Sequence, residues 1–369
     1  MNNQEIESKL IDQLKHLLAS IPWLGDVDVS DADRASALGY DWKVNVPLGN
    51  GNKAILLVEG KAFPRPSQFP AVNQRSSFHG DRHSTEIPVL AAPRISPRMA
   101  ELCDQHGWGW FDLAGNCKIS APNLLHIERS GNEPVQVNDP AEANLSTTES
   151  ARVVRALLTD EDPSRKWTQR SLREACTPNV SLGLVNKVVR YLKDQAYLTD
   201  AESGRGFKLH DPLGLLKEWS QHYRFDQHLR HDYFTLLKPS AVYKRLSESL
   251  SKKEAQYALS VFSAAAEQAA HVRGELRLWL YLEGRILELF EEIAEVKSVT
   301  SGANIVVLIP QDTGVFSGKQ SAPSLQCPCT HPVQTYIDLK KAGGRGDEAA
   351  EALLEQKIKP VWKEANLVW

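Results

Sequence analysis

Three residues near the beginning of the chain have the types and spacing of a site that could hydrolyse phosphodiesters with a metal ion. Asp41 lies early in one predicted strand, and Glu59 and Lys61 end the next one. Two carboxylates can hold Mg²⁺ while a lysine orients the attacking water or helps to deprotonate it. Glu59 and Lys61 point to the same face of a strand, and Asp41 joins them if the hairpin pairs it with residue 59 or 61. The pattern predicts Asp41 and Glu59 as metal ligands and all three residues as catalytic.

An Asp followed by Glu-x-Lys on the adjoining strand resembles the PD-(D/E)xK phosphodiesterases. The order of the predicted elements also suits a restriction-endonuclease-like core. Three features depart from that pattern. Tyr40 stands where a proline is expected, Lys43 adds a positive charge beside the metal, and prolines interrupt the segment after Lys61. The alternative interpretation is an ion pair between Glu59 and Lys61 at the end of a strand, without turnover.

A second set of residues, near the middle of the chain, has side chains that suit contact with a DNA duplex. A helix predicted from Ser181 to about Gln195 has an apolar face formed by Leu182, Val185, Val188, Val189 and Leu192. Its opposite face carries small, polar and basic residues, as a recognition helix in a major groove requires. The predicted DNA contacts on this helix are Ser181, Asn186, Lys187, Arg190 and Lys193.

Two further helices and a hairpin surround this helix. The segment from Glu149 to Leu158 predicts a first helix, and Thr168 caps a short second one that ends near Ala175. A two-stranded wing follows the third helix, with a glycine-rich turn at residues 204–206. This order is typical of a winged helix-turn-helix domain, although a helical core with ordinary solvated charges and a winged helix that contacts proteins are the alternatives. Its other predicted DNA contacts are Thr168, Gln169, Arg170, Arg205 and Lys208.

Charge is distributed unevenly along the sequence. The 369 residues carry a formal net charge of −3, which argues against a surface that binds nucleic acid everywhere. Residues 149–210 hold 11 Lys and Arg against 8 Asp and Glu, whereas the rest of the sequence holds 32 against 38. A locally basic segment in an acidic protein is typical of a dedicated nucleic-acid module.

The sequence also bears on the location of the protein. Its first residues lack the basic and apolar regions of a signal peptide, and no apolar run approaches the ~20 residues of a membrane span. Five cysteines are an odd number and are scattered, which fits a reducing compartment. Cys327, Cys329 and His331 resemble half of a metal site, with an ordinary loop as the alternative. We therefore expect a cytoplasmic protein that contacts no membrane.

Two polar stretches, residues 132–144 and 221–232, divide the chain into three predicted domains. Residues 1–135 combine a helix, a hairpin and further short strands, which predicts a restriction-endonuclease-like α/β domain. Residues 145–225 form the winged helix-turn-helix domain, and residues 230–369 form a C-terminal α/β domain. The predicted fold class is a multidomain protein of mixed α/β and α+β type.

Segments in all three parts resemble one known family. They are residues 88–97 and 107–116 in the first part, and residues 211–212, 215–216, 218–219 and 222–223 after the wing. In the third part they are residues 262–265, 301–304, 332–339 and 343–346. Together they are similar to bacterial AbiEi-like antitoxins of type IV toxin–antitoxin systems. The resemblance implies a transcriptional repressor that binds its own promoter and counteracts a nucleotidyltransferase-like toxin encoded beside it.

Two functions remain open from the sequence. The first is a sequence-specific regulator that binds double-stranded DNA, needs no cofactor for doing so and could act as a homodimer. The second is a Mg²⁺-dependent DNA nuclease that its winged helix directs to the substrate. Metal-dependent cleavage of DNA distinguishes the two.

Overall fold

The computed structural model describes residues 3–24, 26–31, 40–48, 51–75, 85–137, 139, 142–202, 204–250, 255–269, 277–322 and 327–367. The fold is mixed α/β and divides into two compact units, residues 1–142 and residues 143–369. In the hairpin that carries Asp41 and Glu59, the sequence Asn50-Gly51 predicts a tight turn. Asn50 lies outside the described residues, and Gly51 has φ of 79°.

The first unit is built on one sheet that has, within the described residues, seven strands in the order of the chain. Its strands are β1 (Asp28–Asp31), β2 (Trp42–Pro47), β3 (Lys53–Gly60), β4 (Glu86–Ala92), β5 (Gly109–Asp112), β6 (Cys117–Ala121) and β7 (Leu125–Arg129). Its helices are α1 (Asn3–Ala19), α2 (Phe69–Arg75) and α3 (Pro97–Gln105). Strands β3, β4 and β5 run parallel to one another, and the remaining neighbours are antiparallel.

Both faces of this sheet are covered, which is why β3 is apolar at consecutive positions. Leu56 and Val58 pack with the buried face of α1, whereas Ile55 and Leu57 pack with residues of α2 and α3. The apolar run of β3 therefore buries two faces at once. Its polar end, Glu59-Gly60-Lys61, lies where the strand leaves this core.

The second unit begins with a helical segment and continues into a second sheet. Its helices are α4 (Thr148–Leu158), α5 (Gln169–Ala175), α6 (Leu182–Asp194), α7 (Pro212–His222), α8 (Pro239–Leu250), α9 (Val261–Gln268), α10 (Leu287–Ile293), α11 (Pro332–Ala342), α12 (Gly346–Leu353) and α13 (Lys359–Glu364). Its strands are β8 (Leu198–Asp200), β9 (Phe207–Leu209), β10 (Leu229–Phe234), β11 (Tyr257–Leu259), β12 (Leu278–Leu282), β13 (Lys297–Ser298), β14 (Ile305–Ile309), β15 (Gln320–Ser321) and β16 (Pro328–Cys329).

Strands β8 and β9 pair only with each other, and the others form, within the described residues, a sheet in the order β13-β10-β14-β12-β11-β16-β15. One face of this sheet packs on α8 and α10, through residues such as Leu280 and Val307. The other face contributes Trp279 and Tyr281 to a core that also contains residues of α4, α6 and α11. The predicted boundary at residues 221–232 thus lies inside one compact unit, because the helical segment and the C-terminal sheet share a core.

The described residues contain no helix that has both the length and the apolar character needed to cross a membrane.

Candidate nucleic-acid interface

Helices α4, α5 and α6 with strands β8 and β9, residues 148–209, form what we call the helical module. Its centre contains Val153 and Leu157 of α4, Leu172 of α5, and Val185 and Leu192 of α6, all buried. These residues recur at helical spacing on one side of each helix, so each helix buries one face and leaves the other to solvent. The module therefore has the order of elements that the sequence predicts.

The starts of α5 and α6 are fixed by side chains. The Thr168 hydroxyl accepts a hydrogen bond from the Ser171 amide at 3.1 Å, and the Ser171 hydroxyl in turn accepts from the Thr168 amide at 3.0 Å. The hydroxyl of Ser181 accepts from the Leu184 amide at 3.2 Å. These caps satisfy amides that have no partner within the helix. Thr168 and Ser181, both predicted as DNA contacts, thus also have a structural role.

The wing is held to the module by a short bridge that the sequence did not indicate. Trp167, just before α5, exchanges two backbone hydrogen bonds with Phe207 of β9, at 2.7 and 2.9 Å. At Gly206, with φ of 88°, a Cβ atom would lie 2.5 Å from the carbonyl oxygen of Trp167. Only glycine tolerates both this φ and this approach. Gly204, with φ of 69°, makes the tip of the wing, and Arg205 beside it is exposed.

The outer face of α6 carries the row predicted to contact DNA. Lys187 and Arg190 are exposed, and Asn186 between them and the core is partly buried. The Asn186 amide donates to Oε1 of Gln169 on α5 at 3.2 Å, while its Oδ1 accepts from Nη2 of Arg190 at 3.3 Å. This chain joins α5 and α6 into one polar surface, beside which Arg170 is also exposed. None of the ion pairs among the described residues involves Arg170, Lys187 or Arg190.

Two of the basic residues predicted to contact DNA form ion pairs within the module. Lys193 at the end of α6 pairs with Asp200 of β8, and its ammonium lies over the ring of Phe207 at 5.5 Å. Lys208 of β9 lies 3.5 Å from a carboxylate oxygen of Glu202. Such exposed pairs are weak, so a DNA phosphate could exchange with either acid. The electropositive part of the surface is therefore centred on Arg170, Lys187 and Arg190.

Leu182, predicted on the buried face of α6, is instead 44% exposed. It is the first residue of the helix, and this turn extends beyond the core. Leu184, two residues later, packs against the core in its place. Gly183 is exposed too, and a Cβ atom there would have no heavy atom within 4 Å.

In the first unit, the structure places the predicted nuclease residues at one end of the β2–β3 hairpin. Trp42 pairs with Val58, so Asp41 and Glu59 are the next residues on the two strands. The Gly60 amide donates to Oδ2 of Asp41 at 2.8 Å. Glu59 is 7% exposed, and its carboxylate lies 2.8 Å from Nζ of Lys61.

The strand is irregular at Asp41. Tyr40 packs on the α2–α3 face of the sheet and Trp42 on the α1 face, although residues two apart on a regular strand share a face. This break turns the Asp41 carboxylate toward the backbone of Gly60. Within the described ranges no three His, Cys, Asp or Glu side chains are grouped as metal ligands. Glu59 is paired with a lysine, and Asp41 accepts a backbone hydrogen bond at the end of the strand. These arrangements suit a structural role better than the binding of a metal ion.

A buried polar cluster, which the sequence did not indicate, lies between the helical module and the C-terminal sheet. Oδ1 of Asp338 accepts hydrogen bonds from the hydroxyls of Tyr223 and Tyr281, at 2.9 and 3.1 Å, and from the amide of Gln334 at 2.8 Å. Burial raises the pKa of Asp338 to about 7. Arg155 of α4 is the cation of the cluster, and burial lowers its pKa.

This cluster continues to a small pocket whose lining includes Arg155, Tyr223, His228 and Asp312. Nη1 of Arg155 lies 3.7 Å from Oδ2 of Asp312, and Nη2 of Arg152 lies 3.0 Å from Oδ1 of the same carboxylate. Burial lowers the pKa of His228 to about 4, so this imidazole is neutral near pH 7. The cluster holds its charges in internal pairs and is therefore an anchor between the helices and the sheet.

No family model, no curated protein and no solved structure matches this chain. Its function is therefore inferred from the surface that the residues form.

Proposed function

We propose that this chain is a transcriptional regulator that binds double-stranded DNA in a sequence-specific manner through the helical module, acting as a winged helix-turn-helix. The observation that carries the proposal is the outer face of α6. Asn186, Lys187 and Arg190 form a polar and basic row on a helix whose opposite face is buried. A helix with these two faces is suited to the major groove, where amide and guanidinium groups read base edges.

The rest of the module supports the same orientation. The capped start of α5 places Thr168, Gln169 and Arg170 beside the row, at positions suited to contact phosphates. The wing carries Arg205 on the tip of its glycine turn, where a basic side chain can reach the DNA backbone. We propose that DNA binding by this surface needs no cofactor and that it occurs in the cytoplasm.

The regulated gene and the protein partner rest on the resemblance to AbiEi-like antitoxins. On that basis we propose that the DNA is the promoter of the chain's own gene, and that the partner is a nucleotidyltransferase-like toxin encoded beside it. A homodimer would read two half-sites of one operator. A reporter gene behind this promoter should be repressed when the chain is supplied, and an unchanged reporter would contradict this part of the proposal.

Direct binding tests the DNA proposal itself. The full chain is titrated into a fluorescent duplex carrying the promoter sequence, and into a scrambled duplex of the same composition, at several salt concentrations. Preference for the promoter duplex, with affinity that falls steeply as salt rises, is the expected result. Equal binding of both duplexes contradicts sequence specificity, and no binding to either contradicts the function.

A second candidate function is a Mg²⁺-dependent DNA nuclease with a restriction-endonuclease-like core. The observation that favours it is that Asp41, Glu59 and Lys61 lie at the same end of one hairpin. Against it, the Lys61 ammonium already neutralises Glu59. We therefore propose the first unit as a nuclease-like fold without turnover, and cleavage of DNA is the measurement that separates the two functions.

A further inference from the structure

Two residues on the outer face of α6 have no explanation within the fold. Leu182 is a large apolar side chain that is 44% exposed. Gly183 has an ordinary helical φ, and a Cβ atom at this position would meet nothing within 4 Å. The protein therefore has room for a side chain at Gly183 and gains little burial from Leu182.

Both choices are unfavourable for the helix itself. Gly183 is the second residue of α6, where glycine costs more backbone entropy on folding than alanine does, so an alanine at 183 would suit the isolated protein better. An exposed leucine leaves apolar surface in water. Leu182 and Gly183 precede Asn186 and Lys187 by four residues, which places them on the same face. The reason for both therefore lies with the partner that this face contacts.

We propose that Leu182 contacts the C5 methyl group of a thymine in the major groove, and that Gly183 lets α6 approach the DNA closely. The inference rests on the proposed function and names one base, a thymine, that α6 contacts. The thymine methyl is the apolar group that base pairs present in the major groove. Around Leu182 the face is polar and basic, through Asn186, Lys187 and Arg190. One apolar side chain among polar and basic ones matches a polyanionic DNA surface that carries a single methyl group better than it matches a hydrophobic protein surface.

The first experiment separates protein stability from DNA binding. A Gly183→Ala variant should resist urea at least as well as the wild type, because the added methyl group meets no atom and favours the helix. The same variant should bind duplex DNA more weakly, about fourfold or more. The reason is that the added methyl group holds α6 away from the thymine methyl group that Leu182 contacts. Affinity equal to that of the wild type would overturn the close approach at Gly183.

The second experiment identifies the base. A preferred duplex is selected from a random pool with the full chain, and each thymine is then replaced by deoxyuridine, which lacks only the C5 methyl group. The wild type should bind about fourfold more weakly when the contacted thymine of one half-site is replaced, and Leu182→Ala should be insensitive there. Leu236→Ala, at an exposed leucine outside the module, should keep the wild-type pattern. Equal deoxyuridine sensitivity in wild type and Leu182→Ala would overturn the contact.

The outcomes also separate this inference from the function on which it rests. If the wild type binds no duplex, both fail. If the wild type binds and Lys187→Ala/Arg190→Ala binds more weakly, while Gly183→Ala and Leu182→Ala behave as wild type, the DNA-binding function stands and the thymine contact is refuted.

Discussion

Nε of Arg155 on α4 donates a hydrogen bond to Oε1 of Gln334 on α11 at 3.0 Å, and both side chains are buried. The two residues are 179 positions apart in the sequence. Arg155 also lies near Asp312 and favours the charged form of Asp338. One buried cation thus joins the first helix of the helical module to the core of the C-terminal sheet, which makes the module part of a larger folded unit.

Removing this cation should destabilise the full chain. Arg155→Met keeps much of the side-chain volume but leaves the buried Asp338 carboxylate without the cation that favours its charged form, which costs about 3–5 kcal/mol. Urea denaturation measures the free energy of unfolding. Arg165→Met is the control, since Arg165 pairs with Asp160 at the surface and should change stability by less than about 1 kcal/mol. An Arg155→Met protein as stable as the control would show that the cluster contributes no net stability.

The titration of Asp338 should make stability depend on pH. Burial raises its pKa from the ordinary 3.8 to about 7, so between these pH values the folded state binds a proton that the unfolded state has released. Its contribution to stability is fully present below pH 4 and is lost as pH rises through 7. The loss is on the order of 4 kcal/mol.

The Asp338→Asn variant isolates this effect. The buried imidazoles of His228 and His331, whose pKa values burial lowers to about 4, act in the opposite direction, because their contribution is present above pH 6.5 and is lost as pH falls toward 4. Both imidazoles remain in the variant. The difference in unfolding free energy between wild type and variant should therefore fall as pH rises from 4 to 8. A difference that is constant over this range would contradict the raised pKa.

The local parts of the fold could be predicted from the sequence. Helices α4, α5 and α6 begin and end within a residue or two of the predicted positions, because caps such as Thr168 and Ser181 and the apolar spacing are local signals. The glycine turn of the wing is equally local. The coarse mixed α/β class follows from the same patterns.

Long-range contacts and strand irregularities could not be predicted in this way. Arg155 has its hydrogen-bond partner Gln334 179 residues away and lies over the ring of Trp219, 64 residues away, and nothing near it in sequence marks it as buried. At Asp41, the predicted face assumed a regular strand, whereas Tyr40 and Trp42 pack on opposite faces. Leu182 fits the apolar spacing of α6, but the spacing alone does not tell where the core ends.

The polar and basic row on α6 should contribute most of the DNA affinity. Lys187→Ala combined with Arg190→Ala should weaken binding by about 1–3 kcal/mol for each base or phosphate that the helix no longer binds, and should flatten the dependence on salt. Stability should not change, because both side chains are exposed. A gel-shift titration at fixed salt measures the weakening. The matched control is Lys244→Ala with Arg285→Ala, which removes the same charge from exposed positions outside the module. Equal affinity of the two double variants would contradict a specific role of α6.

The first unit should bind no catalytic metal and should not cut DNA. A divalent cation would have to displace the Lys61 ammonium from Glu59, 2.8 Å away, and the Gly60 amide from Asp41. A site with only two carboxylates binds such a cation weakly in any case, and a nearby ammonium repels the cation. Incubation of supercoiled plasmid with the purified chain and Mg²⁺ or Mn²⁺ should leave the plasmid intact, under conditions in which the same preparation shifts duplex DNA in a gel. The variants Glu59→Ala and Lys61→Ala, with Lys53→Ala at the other end of β3 as control, decide the origin of any cleavage. Multiple-turnover cutting that persists in Lys53→Ala and disappears in the other two would refute this prediction and establish the nuclease function.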